Sequence, residues 1–411
     1  MMADVSILEV LLYGEPIGTL TRVAGDRNLF AFTEAYIEDT DRPVLGLAFK
    51  DQLGELITDH RTTQTRLMPF FSNLLPEGRL GEYLAERAGV NPEREFFLLW
   101  MLGRDLPGAI TVRPADGEAW PPVAGKALDA DEQAAREARV MRFSLAGVQL
   151  KFSALADATG GLTIPASGTG GSWIIKLPSE NFDGVPENEF SMMTLARLAG
   201  INIPAVELVD TAAIDGLPRE VAGLRGPSLG IERFDRLSDG SAVHIEDFAQ
   251  IFGIYPADKY RKASAVNIAT VIATESGDDD VREFIRRLTF NTLIGNADMH
   301  LKNWSVYYPD RRTAQLAPAY DFVSTIAYPG LDDEEAALKF SRTKRFDAFG
   351  VDELEHLAGR AGLPAKMVID TAKETAERFQ EVWPAEKKNL PLHPTVIEAI
   401  DRQLGRVPLT S

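Results

Sequence analysis

The feature that most restricts how this chain can fold is a change of hydrophobic period near Asp235. Ahead of it, apolar residues come in short alternating runs at residues 7–13, 17–23 and 29–32. These are separated by the turn signals Gly14-Glu15-Pro16 and Gly25-Asp26-Arg27-Asn28. Further short runs at 109–112, 173–177, 206–209, 220–223 and 231–234 also read as strands. Pro76-Glu77-Gly78 opens a helix to about residue 87, Pro92 opens another carrying Phe96, Leu98, Leu99 and Leu102, and 188–198 is helical. Beyond Asp235 helical periodicity dominates, at 246–252, 263–273, 281–294, 351–361, 365–382 and 395–404. The expected class is α+β. Residues 1–115 form a mixed α/β module, 116–140 a linker with a short helix, 141–235 a small lobe and 236–411 a helical lobe.

Composition removes several classes of function. An apolar share of 45% with 21 Phe and 5 Trp supports real cores. The absence of cysteine excludes disulfides, thiolate metal sites and thiol nucleophiles, and fits a reducing cytoplasm. The N-terminus has no basic and apolar leader pattern. The longest apolar run, residues 96–102, falls far short of the ~20 residues of a membrane helix, so no membrane association is expected. A formal charge of −18 works against a chain-wide nucleic-acid footprint. His60, His244, His300, His356 and His393 show no i, i+4 pair, which argues against a structural zinc site.

The chemistry concentrates in Gly295-Asn296-Ala297-Asp298-Met299-His300-Leu301-Lys302-Asn303, a polar loop between an apolar helix and a short strand at 304–308. A solvated turn would account for such a loop taken alone. Asp298 and Asn303 nevertheless stand five apart, the spacing of base aspartate and metal-binding asparagine in a protein-kinase catalytic loop, and Asp321 follows as a second acidic site. In that reading Asp298 is the general base. Asn303 and Asp321 are hard oxygen ligands for Mg²⁺, Lys302 neutralises phosphoryl charge, and His300 braces the loop or contacts phosphate. The β-rich lobe followed by a helical lobe is the bilobal kinase order.

Lys176 lies in the apolar segment Trp173-Ile174-Ile175-Lys176-Leu177 and needs a counter-charge if buried. It is either a phosphate-binding lysine paired with Glu187 or Glu189, or an edge-strand lysine reaching water. Residues 144–151 read as an ordinary turn or as a weak phosphate loop, with Ser144, Ala146 and Gly147 small enough for close approach and Lys151 nearby. Glu232-Arg233-Phe234 ends the last small-lobe strand, where a hinge would bond adenine.

Taken in order, eight stretches resemble the HipA toxins, serine/threonine kinases of type II toxin–antitoxin modules. They are Asn73-Leu74-Leu75-Pro76, Gly103-Arg104-Asp105 with Gly108-Ala109, residues 144–151, Ile175-Lys176-Leu177-Pro178, Asn188-Glu189-Phe190, Glu232-Arg233-Phe234-Asp235-Arg236, residues 295–303 and Tyr320-Asp321. The resemblance implies an ATP- and Mg²⁺-dependent kinase that silences itself by phosphorylating Ser144. Ala146, Gly147, Val148, Gln149, Leu150 and Lys151 would cover the nucleotide. Lys176 would hold its phosphates, and Glu232, Arg233 and Phe234 would form the hinge. Asp298 would be catalytic; His300, Lys302, Asn303, Tyr320 and Asp321 would contact ATP, with Asn303 and Asp321 on the metal. It further implies a helix-turn-helix antitoxin partner, DNA contact only through that antitoxin, and a protein substrate of the kind of an aminoacyl-tRNA synthetase. Two other readings stay open: a catalytically silent nucleotide-binding co-repressor of an antitoxin, and a small-molecule phosphotransferase.

Overall fold

The computed structural model describes residues 6–77, 81–82, 84–85, 89–115, 151–156, 162–164, 170–179, 182–217, 221, 224–331 and 335–410. Ser144, residues 146–150 and the expected linker therefore lie outside the described residues, as does most of the strand expected at 220–223.

The first sheet is antiparallel, in the order β4-β3-β2-β1-β5, from β1 (Ser6–Leu12), β2 (Glu15–Val23), β3 (Arg27–Phe32), β4 (Thr63–Gln64) and β5 (Ile110–Pro114). Strict alternation along β3 sends Asn28, Phe30 and Phe32 inward. Tyr13 and Gly14, both at positive φ (54° and 83°), make the tight β1–β2 turn whose twist suits a hairpin. Helices α1 (Pro69–Ser72) and α2 (Glu95–Leu102) share the core of this sheet. The apolar run at 96–102 is α2, buried at every position but Phe97.

The second sheet runs β7-β6-β8-β10-β9, from β6 (Lys151–Ala156), β7 (Leu162–Thr163), β8 (Trp173–Lys176), β9 (Val206–Asp210) and β10 (Pro227–Glu232). Strand β8 is interior: Lys176 sits opposite Lys151 on one side and Leu229 on the other. That removes the edge-strand reading of Lys176. Helix α3 (Val185–Leu198) packs on β9 and β10.

A third sheet, β11 (His244–Asp247), β12 (Ser305–Tyr308) and β13 (Gln315–Leu316), carries the loop at 295–303 on its approach to β12. The helix expected from residue 246 begins only at Phe248, because 244–247 pair with β12. Asp247 then caps that turn in a reciprocal box with Gln250. Around them stand α4 (Ala265–Glu275), α5 (Asp278–Leu293), α6 (Val351–Ala361), α7 (Ala365–Glu386) and α8 (Pro394–Leu404). In α5, Val281, Phe284, Ile285 and Leu288 fall at one-face spacing, and Asp278, Asp279 and Asp280 favour its N-terminus. The architecture is α+β: two sheet-based units and a mainly helical lobe.

One buried knot ties the first unit to the second. Arg233 holds Asp235 through two contacts (2.8 and 2.9 Å) and Asp105 at 3.3 Å, while Arg236 meets Asp235 at 2.9 Å and Asp105 at 3.3 Å. Asp235 also accepts from the Gly108 N–H at 2.9 Å, and Ser153 donates to Asp105 at 3.0 Å. The Arg233 side chain, within the stretch expected to form the hinge, is committed to this knot. Its guanidinium is 1% exposed and its donors are spent on carboxylates that bind the two sheets together. Burial alone would raise the Asp235 pKa, but Arg233 and then Arg236 outweigh it and bring it down to about 2.

Two outcomes are expected. Asp235→Asn leaves two buried cations short of a carboxylate and lowers unfolding free energy by about 3–5 kcal/mol, read from urea denaturation midpoints at pH 7. Because the folded-state pKa of Asp235 is depressed, its stabilisation is complete above the ordinary carboxylate pKa and is lost as pH falls toward about 2. Wild type should therefore lose stability through that acid window more steeply than Asp235→Asn does.

Candidate active site

Between the second sheet and the helical lobe lies a deep cleft, and most of the expected site residues face it. At its back, the Lys176 ammonium donates to Glu189 Oε1 at 2.6 Å and to Asp321 Oδ1. Glu189, 1% exposed on α3, is the partner that the sequence left undecided between two glutamates. Burial alone would lower the lysine's pKa, but the Asp321 and Glu189 carboxylates outweigh it, so the net shift is upward. Lys176 is thus a fixed cation reached by carboxylates from both lobes.

The loop is built by a stop and a bracket. Helix α5 ends at Leu293, and Gly295 follows with φ +65°. A Cβ there would stand 2.2 Å from Ile326 Cδ1, so only glycine fits. Asn296, 2% exposed, donates to Asn291 Oδ1 (2.8 Å) and to the Asp321 carbonyl (3.3 Å), and accepts from the Asp298 N–H (3.0 Å). Asn303 donates its amide to the Asp298 carbonyl at 2.9 Å, closing the loop on itself across the five-residue spacing. Asp298 is exposed into the cleft, and its carboxylate accepts from the Tyr260 hydroxyl. Asp321 has φ +58°, a left-handed conformation uncommon for a residue with a side chain, held by the Asn296 contact.

At the opposite mouth, the Glu232 N–H donates to Ala205 O (2.9 Å) and that of Arg233 to Ser172 O (2.7 Å), which fixes the strand end against its neighbours. Phe234 stacks on Tyr320, centroids 6.0 Å apart and 26° between planes. Tyr320 in turn donates to the Lys302 carbonyl (3.0 Å) and bonds Ser305. An aromatic wall therefore joins strand end and loop. Lys151 opens β6 opposite Lys176 in backbone register.

His300 and Lys302 lie on a wall shared with the first unit. Lys302 Nζ donates to the Asn73 carbonyl (2.7 Å) and stands 3.2 Å from Glu77 and 3.7 Å from Asp247. Its charge is already matched by protein groups, so the geometry makes it a strut. His300 is 6% exposed with Nδ1 unbonded, and burial, then Lys259, lower its pKa to about 3. A neutral imidazole therefore faces the cleft. Sequence reasoning missed Glu77, Lys259 and Tyr260 altogether. The Asn73-Leu74-Leu75-Pro76 stretch was the available signal, since Glu77 follows it directly.

Asp321 and Asn303 offer a carboxylate and an amide oxygen to one cleft, a hard donor set that fits Mg²⁺ held jointly with phosphate oxygens. Among the described residues no cluster of three or more His, Asp or Glu could hold a metal without such a ligand. No helix among them is long and apolar enough to cross a membrane.

Comparison with known proteins identifies the family. Residues 8–113 match the HipA N-terminal domain and residues 143–383 the HipA-like C-terminal domain. The protein named "Putative kinase Y4dM" of Sinorhizobium fredii is 58% identical over 412 residues, covering 99% of this chain and 98% of its own. The serine/threonine-protein kinase toxin HipA of Shewanella oneidensis is 28% identical over 357 residues, 79% of this chain and 78% of that protein. A solved structure of the Shewanella oneidensis MR-1 HipA–HipB toxin–antitoxin complex with operator DNA shares the fold. Its TM-score is 0.71 at 24% identity, covering 97% of this chain and 96% of that one. With matching models over both sheet units and the loop at 295–303, and a 58% identical relative along its length, this chain belongs to the HipA family.

Proposed function

We propose that this protein is an ATP- and Mg²⁺-dependent serine/threonine kinase that serves as the toxin of a type II toxin–antitoxin module. The observation that carries the reading is the convergence on one cleft of the Lys176–Glu189 pair, Asp321 on the same ammonium, and Asp298 five residues before Asn303. Lys176 holds the α/β-phosphates of ATP, while the strand end at Glu232-Arg233-Phe234 receives the adenine beside the Phe234–Tyr320 stack. Asp321 and Asn303 hold Mg²⁺, which neutralises charge on the phosphate oxygens. Asp298 orients the acceptor hydroxyl and takes its proton. That oxygen attacks the γ-phosphorus in line, and ADP leaves. Little covalent chemistry is asked of the protein; positioning and fixed charge do the work.

The acceptors are Ser144 in this chain, which switches the enzyme off, and a cellular protein whose modification arrests growth. A helix-turn-helix antitoxin is the partner, by analogy with the HipB and operator DNA of the Shewanella structure. With −18 formal charge on this chain, DNA contact falls to the antitoxin.

Incubation with Mg-ATP followed by intact-mass measurement tests the proposal. Wild type gains one phosphate, located at Ser144 by fragmentation, and Asp298→Asn gains none while keeping its denaturation midpoint. Nucleotide binding without any transfer would replace the kinase with the silent co-repressor. Glu189→Gln should lower transfer on the order of 10²-fold and raise the half-saturating ATP concentration, because Lys176 loses the partner that aims it. Initial rates across an ATP series read both effects.

A further inference from the structure

The first sheet unit reaches the base of the catalytic loop through a chain of contacts that the kinase reading leaves without a role. Glu77, one residue beyond Asn73-Leu74-Leu75-Pro76, places its carboxylate between two lysines of the helical lobe. Lys259 Nζ is at 2.9 Å and Lys302 Nζ at 3.2 Å. The two lysine side chains are 9% and 8% exposed, so each ammonium depends on a carboxylate for its place. Burial would raise the Glu77 pKa, but Lys302 and Lys259 outweigh it, and Glu77 is held ionised. Asn73 adds a clasp in both directions, accepting from Lys302 and donating to the Ile254 carbonyl at 2.8 Å.

Lys259 passes that anchorage on. Its carbonyl accepts from the Leu301 N–H at 3.3 Å, inside the catalytic loop, and its ammonium stands 5.6 Å from the ring centroid of Tyr260. Tyr260 also meets the His300 ring edge-on, centroids 5.0 Å apart at 80°. The ring is thus set between an anchored cation and a buried imidazole, and its hydroxyl donates to Asp298 Oδ1. The Asp298 backbone is held by Asn296 and Asn303, and Tyr260 adds a hold on its exposed side chain.

We propose that Glu77 and Tyr260 are positioning residues for Asp298, acting in series through Lys259, so that the N-terminal unit is part of the phosphoryl-transfer site. The proposal rests on the kinase reading of the cleft. Glu77 fixes the Lys259-Tyr260 segment, the segment fixes the phenol, and the phenol fixes the carboxylate that receives the acceptor proton. Both residues line the cleft, but the kinase reading gives neither a place on the nucleotide, so the effect is expected on the transfer step rather than on ATP binding. A surface tyrosine that merely covered Asp298 would do the opposite: its removal would speed transfer.

The test is a double-mutant cycle in the full-length chain, following phosphate uptake from Mg-ATP by intact mass. Tyr260→Phe should lower the rate constant at saturating ATP by about 10- to 100-fold, with half-saturating ATP within about 2-fold of wild type. Glu77→Gln should lower it about 10-fold, and the double variant should be no slower than the slower single within about 3-fold, because one chain can be cut only once. Should Glu77→Gln shift the denaturation midpoint, Glu77→Asp keeps the charge and withdraws it by one methylene, and takes its place in the cycle. Wild-type or faster transfer by Tyr260→Phe overturns the proposal, and so do losses that multiply in the double variant. No transfer by wild type itself overturns the kinase reading and this inference together.

Discussion

An ammonium in the middle of a five-stranded sheet is the constraint from which the cleft follows. Lys176 is only 6% exposed on an interior strand, and an unpaired charge there would cost several kcal/mol. The fold answers with two carboxylates from different places, Glu189 on the helix that covers the sheet and Asp321 on the far side of the cleft. Helix α3 must therefore dock with Glu189 facing inward, and it is pinned there from the other side. Asn188 bonds the Ser324 carbonyl, the Ser324 N–H and the Tyr328 hydroxyl, each at 3.1 Å. The position of Asp321 is thus coupled to the helix that aims the lysine. In the kinase reading that coupling would have a use: the phosphates of an arriving Mg-ATP would compete with Asp321 for the ammonium, and the Mg²⁺ would supply the positive charge that Asp321 then needs.

The same solution recurs at two other joints between the units. Arg233 and Arg236 are matched by Asp105 and Asp235; Lys259 and Lys302 are matched by Glu77 and Asp247. Each joint places buried cations from one unit against carboxylates that include at least one from another. Such pairs contribute little net stability over an apolar packing of the same volume, but they penalise every misdocked arrangement heavily, because a displaced partner leaves a buried charge alone. Precision of docking is what a site assembled from three units requires. Apolar packing alone, with its tolerance for repacking, would not hold a loop carboxylate in register with a lysine on another sheet.

How far the sequence could be read follows from the range of the interactions involved. The change of period at Asp235, the hairpin turns and the helix carrying Phe96 to Leu102 are local, and the structure has them where residue patterns place them. Asp298 and Asn303 were legible because their partnership spans five residues and closes within one loop. Lys176 was legible as a charge in an apolar strand, but its partner was not, since Glu187 and Glu189 are equally acidic and only the helix docking selects Glu189. The ion pairs of Arg233 were not legible for a related reason. Asp105, which turns it inward, lies 128 residues away and leaves no periodic trace. Glu77 and Lys259 are 182 residues apart, and neither stands out from its neighbours. Long-range ion pairs are the part of a site that sequence pattern does not encode.

The catalytic loop itself depends on two backbone conformations that most residues avoid. Gly295 and Asp321 both lie at positive φ, one at the end of α5 and one past β13. For Gly295 the conformation costs little beyond chain entropy, and the absence of a side chain lets Ile326 press against the turn. For Asp321 it costs about 1–2 kcal/mol, which must be supplied by its surroundings. Asn296 supplies part of it by donating to the Asp321 carbonyl with the same amide that grips Asn291, while its oxygen takes the Asp298 N–H. One buried asparagine thereby ties the end of the helix, Asp298 and Asp321 into a single bracket. Replacing either strained turn with a relaxed one would free the backbone locally and separate Asp298 from Asp321. In the kinase reading the strain would have a use, since both carboxylates face the same cleft.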